Sequence, residues 1–123
     1  MEFDGVQWTK VQFNSISPGP KISHSMGFHD QMKMTLLHGG DESGITWGWH
    51  GTKWIKIADN GPVGGLIAFG YDPERNVMIA FGGSGPENSL FSETWELDQA
   101  TWRKISDNGR WKLIDGMLRK IEQ

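Results

Sequence analysis

The chain has 123 residues, a net charge of −3, 17 glycines, seven tryptophans and no cysteine. Its length is that of one small domain. The absence of cysteine excludes disulfides, thiolate catalysis and zinc–thiolate sites, and the acidic balance gives no footing for nucleic acid or an anionic membrane. No apolar run approaches the ~20 residues of a membrane span. Glycine-rich turns between short apolar runs predict an all-β protein.

Taken in order, residues 2–12 read as a β-hairpin around Asp4-Gly5, a strong turn dipeptide. Residues 14–20, with Pro18 and Pro20, read as a loop. Strands are predicted at 23–29 and 33–38, joined by a turn at Asp30-Gln31 and ended by Gly39-Gly40. Asp41 to Gly44 is a polar loop. Strands follow at 45–49 and 53–57 across a His50-Gly51 turn. After a loop at 59–62, the series begins again: a strand at 66–71, a turn at Asp72–Asn76, and an apolar strand at 77–81 ended by Gly82-Gly83. A loop at 84–90 leads to strands at 93–98 and 101–106. The tail, 110–123, places Trp111, Ile114, Leu118 and Ile121 at helical spacing. That pattern favours a short amphipathic helix over a strand, with Gly116 arguing against it.

The series is an internal repeat. Trp47 and Trp95 are 48 residues apart, as are Trp54 and Trp102, whereas Phe28 and Tyr71 are 43 apart, as are the two Gly-Gly pairs. The second unit therefore carries extra residues in the loop after Gly82-Gly83 and keeps register elsewhere. A partial third copy lies at the N-terminus, where Glu2-Phe3-Asp4 aligns with Glu96-Leu97-Asp98. A unit of about 50 residues with four short strands has the period of a propeller blade.

Gly-Gly after an apolar strand, a tight hairpin between the third and fourth strands, and a tryptophan in the fourth strand resemble kelch repeats. Gly19-Pro20-Lys21-Ile22-Ser23-His24 is similar to the family's entry to a first strand, with Lys21 where arginine is usual. The second unit departs there, carrying Gly64 and Ile67 in place of the basic residue and the histidine. The resemblance spans about residues 2–109. It implies a partial β-propeller: a hairpin at 2–12, blades at 19–57 and 61–106, and a C-terminal helix or strand. It also implies that Trp54 and Trp102 are buried between blades and that strand 77–81 is covered on both faces. The start inside a third strand is compatible with three arrangements. The chain is a piece of a longer propeller, a protomer completed by self-association, or an open two-blade stack. With no leader or membrane span in evidence, a chain starting at Met1 is expected in the cytoplasm.

Candidate chemistry is thin. His24, His29, His38 and His50 share no metal-ligand motif. The repeat places His29 where Asp72 stands, His50 where Asp4 and Asp98 stand, and His38 where Phe81 stands, which predicts structural roles and no metal. Gly82-Gly83-Ser84-Gly85 lacks the Gly-Lys ending of a phosphate loop. The copper oxidases of the kelch family depend on Cys and Tyr chemistry, which a chain without cysteine cannot supply. The expectation is a non-enzymatic protein-interaction or scaffold module without cofactors. Its partner would be a protein, met at blade-tip loops or bare blade faces, with no nucleic acid or membrane. Loops on a rigid scaffold carry function, which selects Asp41, Glu42, Ser84, Pro86, Glu87 and Asn88 as contact residues. The alternative is a carbohydrate-binding propeller completed by oligomerisation, favoured if Trp47 or Trp111 is exposed.

Overall fold

The alternation of apolar and polar residues between glycine-rich turns folds as three antiparallel sheets in a computed structural model that describes residues 2–10 and 16–121. Strands β1 (Glu2–Phe3) and β2 (Trp8–Thr9) form the N-terminal hairpin. Its turn is held by Asp4 Oδ1, which accepts from the backbone N–H groups of Val6 at 2.8 Å and Gln7 at 2.9 Å. Residues 11–12, where the hairpin was expected to end, and residues 13–15 lie outside the described residues.

The first large sheet is a four-stranded meander of β3 (His24–His29), β4 (Met34–Gly39), β5 (Thr46–Trp49) and β6 (Trp54–Ala58). The second runs β7 (Ala68–Asp72), β8 (Val77–Phe81), β9 (Ser89–Asp98), β10 (Thr101–Ile114) and β11 (Met117–Ile121), each paired with its predecessor. Among the described residues there is no α-helix; a single 3₁₀ turn, Pro86–Asn88, precedes β9.

Two expectations are corrected. The tail is not a helix but the β10–β11 hairpin, with Trp111 opposite Lys120 and Ile114 opposite Met117. Asp115 and Gly116 both have positive φ, 52° and 77°, the mirror-image turn that matches strand twist. The extra residues after Gly83 also do not make a long tip loop. They lengthen β9 to ten residues against four in β5. The continuation of β10 pairs with them, Arg110 opposite Phe91 and Lys112 opposite Ser89. The second sheet is thus five strands wide and runs beyond residue 106.

Strand pairing fixes the faces, because directly opposed residues share one. Sheet 1 turns Ser25, Gly27, Leu36, His38, Thr46 and Gly48 toward sheet 2. Sheet 2 answers with Phe69, Met78, Ala80, Trp95, Leu97 and Trp102. The core forms between them, with Leu36, Met78, Ala80 and Leu97 at 0–1% exposure. The first strands of the two meanders, β3 and β7, lie side by side: Gly27 admits Phe69 and the end of Met78, and His29 packs on Tyr71 at 4.8 Å.

Trp102 is the clearest inter-sheet element. Its indole N–H donates to Thr46 Oγ1 at 2.7 Å. His38 Nδ1 lies 2.8 Å from the same hydroxyl, and His38 Nε2 lies 2.7 Å from the Pro62 carbonyl. A carbonyl only accepts, so Nε2 carries the proton, Nδ1 accepts from Thr46, and Thr46 accepts from Trp102. Every polar group in this buried chain has a partner. Gly61 is required beneath it, since a Cβ there would sit 2.6 Å from the Trp102 indole nitrogen and 2.8 Å from His38. Coverage of 77–81 on both faces is only partial: Met78 and Ala80 are buried on one face and Val77 on the other, but Phe81, on the same face as Val77, is 51% exposed.

Candidate functional site

The loops that close the two sheets at one end meet each other, and glycines let them do so. Gly64 N–H donates to the Asp41 carbonyl at 3.0 Å, Gly40 N–H to the Gly64 carbonyl at 3.0 Å, and Ser84 N–H to the Gly65 carbonyl at 2.8 Å. Gly64 has φ +101°, and a Cβ there would stand 2.2 Å from the Ser84 carbonyl oxygen; only glycine permits this approach. The result is an open cleft of about 320 Å³. Its apolar wall is Ile22, Val63 and Phe91; its polar rim is Asp41, Glu42 and Ser84, with Pro86 beside it.

Four of the residues selected from the sequence, Asp41, Glu42, Ser84 and Pro86, therefore line one cleft, although two come from each sheet's loop. Their roles differ. Asp41 is a structural clamp: Oδ2 accepts from Lys21 Nζ, and Oδ1 accepts from the Ser43 N–H at 3.0 Å and the Ser43 hydroxyl at 2.7 Å. The Lys21 side chain is only 5% exposed. Burial disfavours the Asp41 carboxylate, but the hydrogen bonds from Lys21 and Ser43 outweigh it and bring its pKa down to about 2. Ser84 faces its neighbours through its backbone, and its hydroxyl lies 3.4 Å from the Gly65 carbonyl. Glu42 is exposed and, among the described residues, has no ion pair or hydrogen bond from its side chain. Glu87 is exposed in the 3₁₀ turn at φ 56°, beside the cleft rather than in it. Asn88 belongs to the same turn, and its side chain lies outside the described residues.

Sequence reasoning missed Lys21 as part of the site, and with it the apolar wall. The repeat held the signal: Gly64 aligns with Lys21 and Ser84 with Asp41. Where the first unit joins these positions by an ion pair, the second joins them by close backbone contact.

The histidines sit where the repeat puts them. His29 Nδ1 accepts from the Met32 N–H at 3.1 Å, as Asp72 Oδ1 accepts from Glu74 at 3.0 Å. Burial lowers the pKa of both His29 and His38. His24 and His50 are exposed. Among the described residues no three His, Asp or Glu side chains are grouped to hold a metal, and no helix is long and apolar enough to cross a membrane. Trp47 and Trp111 are both half-buried. The chain matches no family model, no curated protein and no solved structure.

Proposed function

We infer that the chain is a non-enzymatic, kelch-type interaction module, two blades of a β-propeller, that holds a protein segment in the cleft between its blade tips. A four-strand meander and a five-strand one whose first four strands keep the same register, packed face to face with their first strands adjacent, support the blade reading. The observation that carries the binding reading is the cleft itself, in which Asp41, Glu42, Ser84 and Pro86 converge from two sheets. With Asp41 occupied by Lys21, the charge offered to a partner in the cleft is that of Glu42, with Glu87 next in the chain to the rim residue Pro86. Ile22 is 80% exposed and Val63 41% exposed beside them. A segment carrying a Lys or Arg next to an aliphatic residue fits this pairing of surfaces.

Selection from a random peptide library, followed by amide shift mapping, tests the reading. Selected peptides are expected to be enriched in that pairing, to shift Ile22, Glu42 and Val63, and to lose most of their affinity for Glu42→Lys/Glu87→Lys. Peptides that map elsewhere, or bind the double variant equally, overturn it. The carbohydrate reading has weaker support, because Trp47 and Trp111 are half-covered. Trp8, at 67% exposure, is the ring a sugar could stack on. A glycan screen whose signal vanishes in Trp8→Ala would move the reading there.

A further inference from the structure

The repeat places each position of one sheet opposite a counterpart in the other, and the pairing registers agree. In sheet 2 the face toward sheet 1 runs Phe69–Ala80–Trp95–Lys104 across its strands. In sheet 1 the same line, Met26–Leu37–Trp47–Lys56, lies on the face turned away from sheet 2. The next line repeats the relation: Tyr71–Met78–Leu97–Trp102 against Phe28–Thr35–Trp49–Trp54. The outward face of sheet 1 is therefore built like the surface with which sheet 2 docks.

The reverse holds for the outward face of sheet 2. There Gly70, Ile79, Phe81 and Thr94 stand where Gly27, Leu36, His38 and Thr46 receive the neighbouring sheet. Gly27 is filled, with the end of Met78 2.9 Å from where its Cβ would be, whereas nothing lies within 4 Å of the Cβ position of Gly70. Met26 and Phe28 on one bare face are each 52% exposed, and Phe81 on the other is 51% exposed. The receiving face also carries charge: Glu96 and Arg103 stand opposite each other on it, with Glu96 held by Arg75 at 2.5 Å and by Arg103 at 3.6 Å. The hairpin β1–β2 leaves its own Phe3 and Trp8 more than half exposed.

We propose that these two faces bind each other between copies of the chain, head to tail, reproducing the sheet 1–sheet 2 interface. The occupant is a second copy because one chain carries both halves of an interface whose template it also contains. Met26 of one copy enters the open slot at Gly70 of the next as Phe69 enters that at Gly27, Phe28 packs on Asp72 as Tyr71 packs on His29, Trp54 reaches Thr94 as Trp102 reaches Thr46, and Phe81 packs where His38 does. Such a contact is heterologous, which gives a ring when the rotation between copies closes and a filament when it does not; blade-to-blade rotation is the closing kind. With two sheets per copy and blade numbers of four to eight, closure takes roughly two to four copies. This deepens the blade reading above and does not depend on the cleft: a monomer that binds peptides at the cleft would overturn self-association alone.

Sedimentation of the full chain over a concentration series tests it. The unmodified chain is expected as a discrete oligomer at high micromolar concentration. Gly70→Arg fills the open slot without meeting any atom of its own chain near its Cβ, and is expected to be monomeric. Phe28→Glu, on the opposite face, is expected to be monomeric too. Mixed in equal amounts, each retains one good face, and they are expected to form a one-to-one dimer that grows no further. Phe81→Asp blocks the same face as Gly70→Arg, so these two should stay monomeric when mixed; it also replaces Gly70→Arg if circular dichroism shows that variant unfolded. A chain that stays monomeric, a dimer that survives both single-face variants, folded variants that fail to pair on mixing, or unlimited fibres would each overturn the proposal.

Discussion

Trp102 and Trp54 hold the same place in their repeats and live in different surroundings. Trp102 is 8% exposed, with its indole N–H on Thr46 and its ring against His38, Phe69 and Trp95. Trp54 is half-buried on the outward face of sheet 1, tilted against Trp49 at 5.4 Å. Sequence position sets the direction in which a side chain points. Only the neighbouring sheet decides how much of it leaves water, as expected where each repeat contacts its neighbours alone. The largest test of this contrast is truncation of each ring. Trp102→Ala is expected to cost about 3–5 kcal/mol, the range for an aromatic lost from a core. Trp54→Ala should cost less than half as much in the isolated chain. Urea unfolding at low protein concentration measures both. Equal losses would mean that the two positions are equally supported and that the inter-sheet contact is not the main stabilising element.

The threonines sharpen the same comparison at one hydroxyl. Thr46 is fully buried between Trp102 and His38, and Thr94 occupies its repeat position on the outward face of sheet 2. Thr46→Val leaves an indole donor and an imidazole acceptor unpaired in the core, which costs about 1–3 kcal/mol. Thr94→Val should stay within about 0.5 kcal/mol, as for surface substitutions away from special features. Self-association would narrow that gap at high concentration, because Thr94 would then have an indole of its own to receive.

His38 and Phe81 form a third such pair, and only one of them titrates. Burial lowers the His38 pKa, with the Pro62 carbonyl and the Asp41 charge opposing that shift and Lys21 adding to it. Burial also lowers the His29 pKa. Below about pH 6.5 an unfolded histidine takes up a proton that the folded one resists. The unfolded state then binds more protons, and stability falls as pH falls. The urea midpoint should therefore decline from pH 7 downward, and His38→Phe, which copies the other repeat, should flatten part of that slope. A second decline belongs to Asp41. Its folded pKa of about 2 lies below the model-peptide value of 3.8, so its stabilising contribution is present above pH 3.8 and is lost on the way to 2. A midpoint that rises as pH falls from 7 would contradict the histidine assignment, and one that rises below pH 3.8 would contradict that of Asp41.

The repeat explains why the strand order is legible in the sequence. Period-two alternation between Gly-Gly, Asp-Gly and Asp-Pro turns is a local signal, and β3 to β8 fall within two residues of their predicted bounds, whereas β9 begins four residues earlier than predicted. The tail was misjudged because two local signals competed. Apolar residues at helical spacing pointed one way and Asp115-Gly116 the other. The turn prevailed because the extended β10 offered a strand edge for β11 to pair with. That edge exists only because the extra residues after Gly83 lengthened β9, a tertiary consequence invisible in the tail itself. The cleft was half legible. Loop composition identified Asp41, Glu42, Ser84 and Pro86, but the Lys21–Asp41 pair and the Ile22–Val63 wall depend on how two loops far apart in sequence fold together. Composition cannot tell a clamped carboxylate from an available one, so Asp41 and Glu42 looked alike.

The smallest difference, and the one with opposite signs, lies at the paired glycines of the first strands. Gly27 and Gly70 align, each at the centre of its strand and each with ordinary backbone φ. An alanine at Gly27 would put a methyl 2.9 Å from Met78 Cε and 3.5 Å from the Phe69 ring. The end of Met78 is flexible and can withdraw, but Met78 is fully buried, so moving it disturbs the core and outweighs the entropy that alanine saves. Gly70→Ala meets nothing, and removing a glycine from a strand interior is worth roughly 0.5–1 kcal/mol. In dilute solution Gly27→Ala should thus lower the unfolding midpoint and Gly70→Ala should raise it. At high concentration the added methyl at Gly70 would occupy the slot offered to the next copy, so the same substitution should weaken self-association while stabilising the monomer. A variant that stabilises the monomer and strengthens association would show that the outward face of sheet 2 is not the counterpart of the inward face of sheet 1.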